Sequence, residues 1–143
     1  MAAILSIILE SAVNKWKTLP DTVTDLRGRT VIVTGSNVGL GLEAAKRFYA
    51  MNPARLILAV RTLSKGEDAK RVILEGGKKV GPHGDVTGET NIEVWALDLS
   101  SFESVRKFAK KCEEELERID ILLENAAVQT GDWSVTNDGC ELV

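Results

Sequence analysis

Histidine, cysteine, tyrosine, net charge and long apolar runs are all scarce in this sequence, and each shortage narrows what the chain does. His83 is the only histidine and sits in a Gly/Pro-rich loop, so it reads as a solvated side chain rather than a metal ligand or catalytic group. Cys112 and Cys140 are far apart and have no Cys-x-x-Cys spacing, which argues against a disulfide scaffold or a zinc site and makes a reducing, cytoplasmic setting the default. No metal is expected. The 18 basic and 21 acidic residues leave a net charge of -3 with no basic block, so nucleic acid is not an expected partner. The apolar start, Ala2 to Leu9, has no basic segment ahead of it and is followed by Glu10 and Asn14-Lys15. It is far too short to cross a bilayer, and it reads as a short helix packed on the domain or lying on a neighbouring surface. Membrane-surface contact through residues 2–9 is the lesser alternative.

What the chain does have is 143 residues, enough for one domain with a substantial core, organised around Thr30-Val31-Ile32-Val33-Thr34-Gly35-Ser36-Asn37-Val38-Gly39-Leu40-Gly41. A β-branched apolar run passes through three glycines into Leu42-Glu43-Ala44-Ala45-Lys46-Arg47-Phe48, which reads as a helix. Strand, glycine turn and helix N-terminus in that order make a phosphate cradle, because glycines admit close backbone approach and the free N–H groups and helix dipole favour an anion. The spacing is Gly-x-x-x-Gly-x-Gly, not the general dinucleotide Gly-x-Gly-x-x-Gly. Glycines alone would also suit an ordinary tight turn; the flanking strand and helix favour a nucleotide.

In chain order, residues 1–27 form a leader with a turn at Leu19-Pro20-Asp21, and residues 28–143 form an incomplete nucleotide-binding domain. Strand one is expected at Thr30–Thr34 and helix one at Leu40–Met51, stopped by Asn52-Pro53. Strand two, Arg55–Val60, is a continuous apolar run suited to a sheet covered on both faces. Helix two is expected at Leu63–Glu75 with Ala69, Val72 and Ile73 inward, followed by a polar insertion at 76–91 that is expected to be exposed and mobile. Strand three is Ile92–Leu97. Ser100-Ser101-Phe102-Glu103 fits a capping box with Ser100 as N-cap. Helix three carries Phe102, Val105, Phe108, Ala109, Cys112, Leu116 and Ile119 on one stripe, with Lys110–Glu114 and Glu114–Arg118 pairs outside it. Cys112 on that stripe is packing material. Strand four is Ile121–Glu124.

This βαβαβαβ pattern predicts an α/β fold, a partial doubly wound parallel sheet. Ligands of such sheets bind beyond the carboxyl ends of the strands. Those ends supply the glycine loop, Arg61, Asp98 and Asn125. An NAD site usually has Asp or Glu at the end of strand two to bond the ribose 2′-hydroxyl. Here Val60 stands there, followed by Arg61, with Lys65 nearby. Arginine pairs with a 2′-phosphate where a carboxylate would repel it, so NADP(H) is predicted. The alternative is that Arg61 only solvates the strand end.

Several motifs resemble the short-chain dehydrogenase/reductase family, in its retinol-dehydrogenase-like and fungal secondary-metabolism branch. Thr34 to Gly41 resembles the Thr-Gly-x-x-x-Gly-x-Gly cofactor loop, Asp98-Leu99 the adenine-side Asp, Glu124-Asn125-Ala126-Ala127 the Asn-Asn-Ala-Gly motif, and Thr136-Asn137-Asp138-Gly139 the turn before the next helix. Glu124 and Ala127 depart from the commonest form. The resemblance implies sheet order 3-2-1-4 and cofactor binding through Gly35, Ser36, Asn37, Gly39, Leu40, Gly41, Asp98, Leu99 and Asn125, to which the strand-end reading adds Arg61 and, through it, NADP as the cofactor. It also implies alcohol/carbonyl redox, in a biosynthetic pathway for this branch.

The family's catalytic Ser and Tyr-x-x-x-Lys have no counterpart here. Tyr49 is the only tyrosine, inside helix one, and the residue four later is Pro53. No catalytic residue is therefore assigned, and the chain is expected to be a shortened cofactor-binding part, inactive alone, with strand four as an exposed edge open to self-association. A non-catalytic module that binds nucleotide or a partner is the alternative function.

Overall fold

The computed structural model describes residues 24–76, 90–128, 133–136 and 138–141. The expected leader helix, His83 and most of the 76–91 insertion lie outside them. Four strands carry the fold: β1 (Thr30–Thr34), β2 (Arg55–Val60), β3 (Asn91–Ala96) and β4 (Ile121–Leu123). They alternate with α1 (Gly39–Ala50), α2 (Leu63–Gly76) and α3 (Phe102–Glu115). All pairings are parallel, in the order β3-β2-β1-β4 that was expected.

The strands form where β-branched and aliphatic residues run together, and their two-residue period splits the core. One face presents Val31, Val33, Leu56, Leu58 and Ile92 to Ala45 and Tyr49 of α1 and to Ala69 and Ile73 of α2. The other presents Ile32, Ile57, Ala59 and Trp95 to α3, where Trp95 meets Phe108 edge to face at 5.8 Å and Cys112 is buried. Burial pushes the Cys112 thiol pKa up, in keeping with its packing role. Each fully buried aliphatic side chain of β2 contributes roughly 1.5–3 kcal/mol. α1 ends where expected: Asn52 adopts φ 57°, a left-handed conformation Asn tolerates, and Pro53 cannot continue the helix.

Several expectations about the helices need correction, among them the inward placing of Phe102 and Ala109, both of which are exposed. Val72 is 41% exposed, because the inward row of α2 runs through Gly66, Ala69 and Ile73 and its neighbour in sequence points about 100° away. The N-cap of α3 is Ser101, whose Oγ accepts from the Ser104 amide at 3.3 Å; Ser100 is instead captured by the Asp98 carboxylate, and Glu103 pairs with Lys107. α3 stops at Glu115, which leaves Ile119 outside the helix and 45% exposed. For the same reason Arg118 pairs with Asp120 instead of Glu114, while the Lys110–Glu114 pair forms at 3.6 Å.

β4 is three residues long and pairs only with β1, and its central Leu122 is 49% exposed. Its entry is pinned by Asp120, whose carboxylate accepts from Thr30 N at 2.9 Å and Arg29 Nη1 at 2.7 Å and also meets Arg118. Arg29 and the Thr30 amide, with Arg118 adding to them, hold the Asp120 pKa down at about 2. Among the described residues no helix is long and apolar enough to cross a membrane.

Candidate functional site

The carboxyl ends of all four strands open on one cleft of about 520 Å³. The end of β1 sets its floor. Gly35 has φ 64° and donates its N–H to Ala59 O at 2.9 Å. A Cβ on Gly35 would lie 2.9 Å from Ala126 Cα, and one on Gly41 would lie 2.4 Å from Gly35 O and 2.5 Å from Asn125 Nδ2. Real Cβ atoms do not approach that closely, so both positions require glycine. The loop then enters α1, whose N-cap Val38 offers no capping side chain, and no acidic residue stands in the first turn. The positive end of the helix is left without a charged side chain of its own.

Asn125, at the end of β4, holds this floor rather than reaching outward. Its amide donates to Thr34 Oγ1 at 2.9 Å, and its Nδ2 donates to Thr34 O at 3.0 Å and Gly35 O at 3.4 Å. Ala126 N also donates to Thr34 Oγ1, at 3.0 Å. Thr34 thus receives two amides of the Glu-Asn-Ala-Ala turn.

The far wall is the end of β3. Asp98 accepts from Ser100 Oγ at 2.6 Å and Ser100 N at 3.0 Å, while its own N–H donates to Ser104 Oγ at 2.9 Å. The Ser100 hydroxyl and amide, and to a lesser degree the charge of Arg61, hold the Asp98 carboxyl below its ordinary value. Asp98 is therefore ionised at neutral pH. Arg61 follows β2, is exposed, and lines the same cleft.

Of the ten residues singled out in the sequence, Gly35, Asn37, Arg61, Asp98, Leu99 and Asn125 line the cleft. Ser36, Gly39, Leu40 and Gly41 do not. Ser36 is fully buried with an unpartnered Oγ, Gly41 packs beneath the loop, and Leu40 is 83% exposed. Lys65 stands exposed on the first turn of α2, outside the lining. Sequence reasoning passed over Thr34, although it heads the glycine motif, and assigned Phe102 to the apolar stripe of α3, whereas it is 48% exposed and lines the cleft. It also missed Thr136, Asp138, Cys140 and Glu141, which line the cleft from a C-terminal hairpin that only the Thr136–Gly139 turn hinted at. Tyr49 is buried in the α1 face of the core, and the described residues include no cluster of metal-binding side chains.

Similarity to known proteins agrees with this geometry. The family model for short chain dehydrogenase matches residues 29–139. A short chain dehydrogenase/reductase of Cryptosporiopsis sp. (strain 8999) is 42% identical over 123 residues, covering 86% of this chain and 36% of its own length. A short chain dehydrogenase of Alternaria solani is 45% identical over 125 residues, covering 87% of this chain and 40% of its own. The chain thus spans well under half the length of these relatives. Among solved structures, a metagenomic short-chain oxidoreductase in complex with NADP superposes with TM-score 0.57 at 28% identity, over 72% of this chain and 41% of that one. YwfH, an NADPH-dependent reductase involved in bacilysin biosynthesis, superposes with TM-score 0.60 at 26% identity, over 80% and 41%. The glycine loop, the sheet order and the matched sequence lead to one conclusion: the chain belongs to the short chain dehydrogenase family of oxidoreductases.

Proposed function

We propose that residues 28–143 bind NADP(H) in the strand-end cleft, as the cofactor-binding part of a short-chain oxidoreductase acting on alcohol or carbonyl substrates. The observation that carries this reading is Arg61, placed after β2 in the same cleft as the uncapped entry to α1. The central pyrophosphate of the dinucleotide and the 2′-phosphate on its adenosine ribose would each find a complementary partner there. The backbone at Gly35 and Asn37, which line the cleft, would take the pyrophosphate together with the adjoining entry to α1 at Val38-Gly39, and Arg61 would pair with the 2′-phosphate. Asp98 and Leu99 would bound the adenine, one by hydrogen bonding and one by apolar contact, while Asn125 holds the floor in shape. Glycine at 35 and 41 lets the loop close on Ala126 and Asn125, which keeps the cleft floor in shape.

Bound nicotinamide would supply the hydride chemistry. The residues here bind and orient it, and we assign no catalytic group among them. The two free cysteines fit a reducing, cytoplasmic setting. A biosynthetic role rests on the branch resemblance. NADPH titration followed by tryptophan fluorescence, with NADH and Arg61→Asp as controls, tests the reading: saturable binding that favours NADPH supports it, and no binding by a folded chain removes it.

A second reading is favoured by one observation, the half-exposed Leu122 on an edge strand. We propose that two copies associate through β4. Sedimentation that depends on concentration in the native chain and not in Leu122→Lys supports this, and a monomer at all concentrations rejects it.

A further inference from the structure

The described part of the C-terminal segment folds into a small hairpin. Val135 and Glu141 form an antiparallel bridge, Thr136 N donates to Cys140 O at 2.8 Å, and Gly139 N donates to Thr136 O at 3.0 Å. At the tip, Asp138 Oδ2 accepts from Phe102 N at 2.6 Å. Among the described residues this is the one hydrogen bond that joins the hairpin to the rest of the chain.

Phe102 is the first residue of α3, and that helix end faces the cleft, since Leu99, Ser100 and Phe102 line it. A helix N-terminus attracts anions, and here the chain's own carboxylate takes the position. The hairpin also adds charge to the cleft. Asp138 and Glu141 join Asp98 there, and Arg61 is the only cation among the described lining residues. A ligand carrying several phosphates meets like charge on this wall.

We propose that the hairpin formed by residues 135–136 and 138–141 is a displaceable strap: latched to the amino end of α3 by Asp138, it competes with the phosphate-bearing ligand for the cleft. This rests on the nucleotide reading of the site. Ligand affinity is then reduced by the fraction of molecules in which the strap is closed. Release of the latch tightens binding without adding any contact to the ligand.

The test compares NADPH affinity of the native chain with Asp138→Ala and Glu141→Gln, together with amide hydrogen exchange over residues 133–141. Asp138→Ala is expected to bind about fivefold more tightly, the factor that one helix-cap hydrogen bond supports when it sets the closed fraction. Glu141→Gln keeps the latch, removes one cleft charge, and is expected to bind slightly more tightly. NADPH should speed exchange in the native hairpin. Equal or weaker binding by Asp138→Ala, or slower hairpin exchange with NADPH, would make the hairpin a wall of the site and overturn the strap. NADPH binding by Asp138→Ala but not by the native chain supports a strap that is closed nearly always. Binding by none of the three chains overturns the nucleotide reading itself and the strap with it.

Discussion

Thr34 and Asn125 stand 91 positions apart in sequence and share two hydrogen bonds, at 2.9 and 3.0 Å, under the glycine loop. With the Ala126 amide they fasten the end of β4 to the end of β1 at the point where the cleft opens. The hydroxyl of Thr34 is the hub, because two backbone amides end on it. Thr34→Val keeps the branched shape and removes the acceptor. It is expected to cost about 1–3 kcal/mol, the usual penalty for leaving partly buried donors unpaired. Urea unfolding read by circular dichroism measures it, and a midpoint equal to that of the native chain would show that the hub carries no such energy.

Gly41 offers a sharper test of the same floor. A methyl group there would meet the backbone oxygen of Gly35 at 2.4 Å and the side-chain Nδ2 of Asn125 at 2.5 Å; the first is fixed backbone, and the second is held in place by its hydrogen bonds to Thr34 O and Gly35 O. Gly41→Ala should therefore push the loop away from Asn125. NADPH affinity is expected to fall by more than about tenfold, a modest geometric cost of about 1.4 kcal/mol in binding. The helical circular-dichroism signal is expected to persist, since alanine is the better helix former. Unchanged affinity would place the ligand away from this loop.

Much of this floor was legible in the sequence, and the reason is periodicity. Thr30–Thr34 and Arg55–Val60 are apolar runs too continuous to be anything but covered strands, and the glycines between them and α1 have few structural uses. The register of caps was less legible. Ser100 and Ser101 both precede a helix, and only the Asp98 carboxylate, which takes Ser100, decides between them. Val72 failed for a similar reason: an apolar residue beside Ile73 looks inward until the small residues Gly66 and Ala69 fix which side of α2 lies against the sheet. The hairpin that brings Asp138 to Phe102 depends on a contact across 36 positions, for which no local pattern exists.

Acid should act first at the opposite end of β4. Asp120 has its pKa lowered from 3.8 to about 2 by Arg29, the Thr30 amide and Arg118. The folded form therefore holds this proton less readily than the unfolded chain. The stabilisation is fully present above the unfolded value and is lost as pH falls from about 4 to about 2. Unfolding midpoints measured across that window should decline, and Asp120→Asn should start lower and decline less. The lowered Asp98 carboxyl adds a slope of the same sign, so the double variant with Asp98→Asn is the flatter control.

The choice of cofactor rests on Arg61. It stands where an NAD-type site would carry a carboxylate, and it shares the cleft with the ionised Asp98. A guanidinium–phosphate pair is charge-assisted and contributes about 1.5–3 kcal/mol once the bound ligand excludes water from it. Arg61→Asp replaces that attraction by repulsion between like charges. NADPH affinity is expected to fall by roughly 10- to 100-fold, the same energy expressed as a ratio. NADH lacks the 2′-phosphate, so its affinity should change little or rise, as the new carboxylate can accept from the ribose hydroxyl. The loss should also shrink in high salt, because the screened pair is worth less to the native chain. Equal losses for both nucleotides would mean that Arg61 supports the fold of the cleft rather than reading the phosphate.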